Sequence, residues 1–211
     1  SIAANRTITS VSYQQIALLY TFSDLPFPFP LSLLSLFTWG NVAHVNSNGL
    51  DADAGKLFLP IVDKPHFEVF NGIPIKQIRE NTVTKLDLKG SKGKQLEACG
   101  GIVLAHVLTG NTSVQGLDAS GNKLGQAGGE AFVEALKTNS TLDSIVIGSK
   151  DKPATIPLKE LRENSIDALD YQGKELLAEG GIVLASALKG NSSVTKVGQR
   201  VFDVFILFYS L

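Results

Sequence analysis

Val114-Gln115-Gly116-Leu117-Asp118-Ala119-Ser120-Gly121-Asn122-Lys123-Leu124-Gly125-Gln126-Ala127-Gly128-Gly129-Glu130-Ala131 carries the pattern that decides the fold of this 211-residue chain. Val114, Leu117 and Ala119 are separated by polar residues, the mark of a short strand with one buried face. A glycine-containing turn follows, and residues 127–136 then place apolar side chains at three- and four-residue spacing, which predicts a helix with one buried stripe. The strand pattern returns at Val83, Leu86 and Leu88, at Leu142, Ile145 and Ile147, at Ile166, Leu169 and Tyr171, and at Val194 and Val197. The starts lie 31, 28, 24 and 28 residues apart. Helical spacing recurs over 96–108 and 176–188, and these helices are expected to stop at Gly110-Asn111, Thr138-Asn139 and Gly190-Asn191. Gly and Asn tolerate the left-handed conformation that commonly ends a helix.

A longer repeat overlies the short one. Ile73-Pro74-Ile75-Lys76-Gln77-Ile78-Arg79-Glu80-Asn81 recurs 83 positions later as Ile156-Pro157-Leu158-Lys159-Glu160-Leu161-Arg162-Glu163-Asn164. Gly100-Gly101-Ile102-Val103-Leu104-Ala105 recurs after 80 positions as Gly180-Gly181-Ile182-Val183-Leu184-Ala185, so the first copy carries three extra residues between the blocks.

Strand, turn, helix and turn at about 28 residues resembles the leucine-rich repeat family, in its long, ribonuclease-inhibitor-like class, over residues 67–197. The resemblance implies an α/β right-handed solenoid, a short horseshoe with parallel strands on the concave face and helices on the convex face. Strands stack about 4.8 Å apart while helices need roughly 10 Å, so the helix side fans outward. Two departures stand out. The turn Asn is present at Asn122 but is replaced by Lys89-Gly90-Ser91 and by Gln172-Gly173-Lys174 in other turns. In the 24-residue interval Pro153 and Pro157 leave room for no more than a short turn of helix over 158–162.

Three segments are expected: an apolar, Pro-containing, non-repeat N-terminal segment (1–62), the repeat array (63–198) and an apolar tail (199–211). Residues 1–50 hold only Arg6 and Asp24 as charges. The apolar runs 16–22 and 31–45 are each shorter than a membrane span, and the alternating prolines of 25–30 favour an extended stretch. The head reads as a cap on the first repeat, a remnant of a membrane protein, or disorder. The tail reads as a final edge element or a non-native end. With no Met and Ser1 first, the chain reads as a processed product or fragment.

Chemistry is thinly represented. A formal net charge of −1 gives no field to attract nucleic acid. One cysteine excludes an internal disulfide framework. Cys99 stands where the second copy has Glu179, the pattern of a variable surface site. His106 likewise stands where the second copy has Ser186, and His44 and His66 have no matched carboxylate or Cys at ligand spacing, so no metal and no cofactor are expected. The glycines of 121–129 mimic a phosphate-binding loop but lack its Lys-Ser/Thr, and tight strand-to-helix packing explains Gly128-Gly129 better. Asn5, Asn111, Asn139 and Asn191 begin N-glycosylation patterns, three of them at one repeat turn.

Function is therefore expected on the exposed sheet face: Lys85, Asp87, Gln115, Asp118, Asp143, Val146, Asp167 and Asp170. The aspartates form a mildly acidic column suited to a basic protein partner. The resemblance implies a non-enzymatic, monomeric, cytoplasmic protein-interaction module. Two other readings stand beside it. One is the ligand-sensing fragment of a membrane-anchored, membrane-associated receptor. The other is a GTPase-activating protein using Arg79 or Arg162, an activity of some members of this repeat class.

Overall fold

A computed structural model describes residues 10–12, 41–45 and 50–198. It is a mixed α/β chain. In order come β1 (Ser10–Ser12), β2 (Val42–His44), α1 (Ala52–Val62), β3 (Val69–Phe70), α2 (Ile75–Arg79), β4 (Lys85–Asp87), α3 (Glu97–Thr109), β5 (Gly116–Asp118), α4 (Gly125–Leu136), β6 (Ser144–Ile147), β7 (Ala154–Ile156), α5 (Leu158–Arg162), β8 (Ala168–Leu169), α6 (Leu177–Leu188) and β9 (Lys196–Val197). The described strands form three open sheets, β1-β2-β3, β4-β5-β6-β7 and β8-β9, parallel throughout except where β7 runs against β6. The long helices pack in a row, α1 on α3, α3 on α4 and α4 on α6. The apolar runs 16–22 and 31–40, the proline stretch, Asn5 and the tail 199–211 lie outside the described residues.

The alternation read from the sequence is the alternation of burial. Leu86, Leu117 and Ile145 sit in one register across β4, β5 and β6, all buried, and Ile156 of β7 continues the row. One contiguous apolar core runs from Ala43 to Leu184. Phe58 and Phe70 meet in it with ring centroids 5.1 Å apart, joining α1 to β3.

The head contributes to this core. Within the stretch read as outside the period lie β2 and α1, which form a further strand-helix-strand unit with β3 at the start of the array. Asp51 caps α1 by accepting from the Ala54 N–H at 2.9 Å, and Ala43, Val45 and Leu50 are buried. The 24-residue interval also holds more than a short helix. Pro153 and Pro157 bracket β7, whose antiparallel pairing with β6 occupies the edge that a parallel strand would otherwise take. A smaller version occurs at β3, where Asn71 (φ 50°) and Gly72 (φ 85°) form a two-residue reversal that bridges Phe70 to Ile73.

Helix ends are made differently from the expectation. Gly110, Asn111, Asn139, Gly190 and Asn191 are not left-handed; the asparagine side chains do the work instead. Asn111 donates to the Ile78 carbonyl (2.6 Å) and accepts from the Val114 N–H (2.7 Å). Asn139 bridges Leu108 O and Leu142 N, and Asn191 bridges Leu161 O and Val194 N, in the same way. The left-handed helix ends belong to the short helices, at Asn81 (φ 55°) and Asn164 (φ 52°). The glycine pairs also have a different task from simple strand-to-helix packing. A side chain at Gly101 would meet Gly128 of α4, and one at Gly129 would meet the Glu179 backbone of α6 at 2.9 Å. Gly101 and Gly129, the second glycines of two of the pairs, thus let neighbouring helices touch backbone to backbone.

Candidate functional site

The sheet face expected to bind a partner is divided in two. Lys85, Gly116 and Ser144 share one register, and Asp87, Asp118 and Val146 share the next. Gln115 and Asp143 are joined to it through the backbone, Asp143 N–H donating to Gln115 O at 2.8 Å. The rung after Val146 is Thr155 of β7, not Asp170, which lies with Asp167 by the separate β8-β9 sheet. The acidic column is therefore interrupted by the antiparallel strand. Lys85, Asp87, Gln115, Asp167 and Asp170 are exposed, while Asp118, Asp143 and Val146 are half-buried.

Most of the column already has a structural use. Asp87 accepts from Lys89 N–H (3.2 Å), Asp118 from Ser120 N–H (2.9 Å) and hydroxyl (2.6 Å), and Asp170 from Gln172 N–H (2.8 Å). Each carboxylate thus closes the turn that leaves its strand, the local bonding that favours Asp in turns. Asp143 and Asp167 have no side-chain hydrogen bond among the described residues, which leaves them, with Lys85 and Gln115, as the side chains with free polar ends.

The residues with catalytic overtones are occupied. Cys99 and Glu179 are both buried, at 1% and 3% exposure, so the position they share is a helix-helix contact and not a variable surface site. Burial, then the charges of Asp51 and Glu97, push the Cys99 thiol up to about 12, and no thiolate forms at neutral pH. Burial also raises Glu179, while hydrogen bonds from its own N–H and that of Gly125 oppose the shift. The Gly125 N–H belongs to the start of α4, so the Glu179 carboxylate faces the place where a phosphate-binding loop would present its donors.

Arg79 donates to four carbonyls, those of Val62, Lys64, Pro65 and Phe67, at 2.9–3.2 Å. Arg162 donates to Ser140 and Leu142 at 3.0 and 2.9 Å. Both side chains fasten the chain that precedes their helix. His106 Nε2 lies 2.8 Å from Asp63 Oδ1 and links α3 to the end of α1. No group of three or more His, Cys, Asp or Glu side chains suited to a metal occurs among the described residues, and no helix among them is long and apolar enough to cross a membrane. Asn111 and Asn139 are buried with their amides bonded, so in the folded chain those acceptor patterns are closed.

No protein-family model and no curated protein matches the chain.

One surface escaped the sequence reading. Exposed lysines gather on the turns after β4, β5, β6 and β8, and the signal was the three-residue excess of the first copy: relative to Gln172-Gly173-Lys174-Glu175, the turn after Leu88 is lengthened by a Lys-Gly-Lys.

Proposed function

We propose that the chain is a leucine-rich-repeat solenoid of the ribonuclease-inhibitor-like kind and works as a non-catalytic module that binds a protein partner through the exposed face of β4-β5-β6. The observation that carries this reading is the in-register sheet whose inner row, Leu86, Leu117 and Ile145, is buried while its outer rungs are exposed on β4 and half-buried on β5 and β6. Parallel strands joined through helices, with period near 28, support the solenoid. The side chains that would serve chemistry are spent inside the fold, which supports a binding role. Arg79 and Arg162 in particular are held on backbone carbonyls, whereas a GTPase-activating role needs an arginine free to reach a nucleotide.

The test is partner capture with sheet-face variants. Asp143→Lys and Lys85→Glu lie on the sheet and touch no turn bond, whereas Glu134→Lys lies on α4, paired only with Lys137. A partner retained by the parent and by Glu134→Lys should be lost by both sheet variants. Equal capture by all four proteins would end the sheet-face reading.

A further inference from the structure

The turns that leave the strands stack on one another and form a continuous rim. Gly90 N–H donates to Ser120 O (2.7 Å), Gly121 N–H to Gly148 O (2.8 Å) and Ser149 N–H to Glu175 O (2.9 Å), while Gln95 Nε2 reaches Gly121 O at 3.3 Å. Lys89, Lys92, Lys94, Lys123, Lys150 and Lys174 stand exposed along this rim, and none of them is in an ion pair among the described residues. Lys152 is paired with Glu175 at 3.1 Å, which leaves Asp151 as the rim's unpaired carboxylate among the described residues. The aspartates behind the rim, Asp87, Asp118 and Asp170, are turned to the backbone N–H groups of the turns. A protein of net charge −1 therefore carries an edge on which lysines outnumber the carboxylates of Asp151 and Glu175, with Asp87, Asp118 and Asp170 set behind them.

We propose that this rim docks an acidic polypeptide segment, a run rich in Asp and Glu. The inference deepens the binding-module reading and rests on it. The insertion is the second observation that points to a ligand. The connections 119–124 and 171–176 reach a helix with three fewer residues than 88–96, so the extra Lys-Gly-Lys is not needed to build the turn. It stands out as a small loop closed by the Ser91–Lys94 bridge. The composition of the rim selects among polyanions. Lysine ammoniums on flexible stems suit scattered carboxylates, whereas phosphate recognition favours the planar fork of arginine, and the rim has none. It also has no aromatic ring for stacking on bases. A bilayer calls for apolar residues beside the charges, and Leu177 is the one large apolar side chain exposed among the described residues.

The probe is a fluorescent poly-glutamate peptide of about a dozen residues, titrated by anisotropy. The full chain should bind it, and raising salt from about 50 to about 200 mM should weaken binding severalfold. Reversing Lys89, Lys92 and Lys94 together to Glu should weaken it at least about tenfold. Deleting 92–94, which restores the connection length of the second copy, should weaken it with thermal unfolding unchanged, while Lys159→Glu, exposed on α5 away from the rim, should leave it as it was. Parental affinity in the triple variant would overturn the proposal. So would duplex DNA or phosphatidylserine vesicles that bind tighter than the peptide and lose binding in the same variant, because the rim would then serve another class of partner. If the peptide fails to bind while Asp143→Lys still abolishes partner capture, the rim fails and the sheet-face reading stands.

Discussion

Residues 73–105 and 156–185 are two copies of one design. Where they agree, the backbone leaves little choice. Pro74 and Pro157 precede five-residue helices that both end on a left-handed asparagine. Asn81 and Asn164 each accept from the N–H of a residue in the next unit, Thr112 at 2.8 Å and Ser192 at 2.7 Å. Glu97 and Leu177 both enter their long helices with a left-handed φ, near 55° and 57°. The copies differ in what faces a neighbour. Arg79 reaches four carbonyls and Arg162 two; Cys99 meets α1 where Glu179 meets α4; and the first copy's turn packs at Gly90 on Gly121 of the turn after it, whereas the second copy's turn packs at Glu175 on Gly148 and Ser149 of the turn before it. Repetition therefore preserves the hydrogen-bond accounting within a unit and releases the contacts between units.

The sharpest way to break the symmetry is at the turn glycines. A methyl at Gly90 would run into the carbonyl of Gly121, whereas nothing described lies within 4 Å of one at Gly173. Gly90→Ala should cost about 3 kcal/mol or more through overpacking. Gly173→Ala should cost about 1 kcal/mol, from its φ of +72° alone. Urea midpoints for the two variants would check this, and equal shifts would show that the turns are packed alike. The arginines come next. Arg79→Ala should destabilise by about 2 kcal/mol and Arg162→Ala by about 1 kcal/mol, in proportion to the carbonyls each satisfies. Arg79→Lys should not restore the loss, because an ammonium cannot span four acceptors.

The smallest effect concerns Glu179 and is read by pH. Burial raises its carboxyl above the usual 4.5 in the folded chain. The folded state then holds the proton more tightly than the unfolded state, so this group's contribution is best at low pH. It declines as pH rises from 4.5 through the folded value and is constant beyond. Glu179→Gln keeps an acceptor for the Gly125 N–H and removes the penalty. The variant should be more stable than the parent at pH 7, and the two should converge below pH 4.5. A difference unchanged across that window would place the effect in packing and not in charge.

How much of this was legible depends on the range of each cause. Leu86, Leu117 and Ile145, and the helix stripes of 96–108 and 176–188, obey local periodicities that a sequence displays. The unit at 42–62 was hidden because the short alternation at Val42–His44 ends a longer apolar run, and because Pro60, a residue that ordinarily breaks helices, lies inside its helix. β7 was hidden between two prolines, in three residues paired to a strand the chain had just left. The replacement of Cys99 by Glu179 looked like surface variation, since no local pattern announces that a neighbouring helix will cover the site. At the candidate site, the aspartates were found but their attachment to turn N–H groups was not, and the lysine rim vanished in a net charge near zero.

The turn asparagines give the chain a direction. Asn111, Asn139 and Asn191 each place their amide on a carbonyl of an earlier helix, at Ile78, Leu108 and Leu161. Asn122 likewise donates to Leu88, at 2.7 Å. These side chains thus reach back to acceptors that left the ribosome before them, while the turn N–H groups of Gly90, Gly121 and Ser149 wait for carbonyls of the following unit. A nascent chain can dock each new asparagine on a surface already laid down, but it closes each turn only when the next has been made.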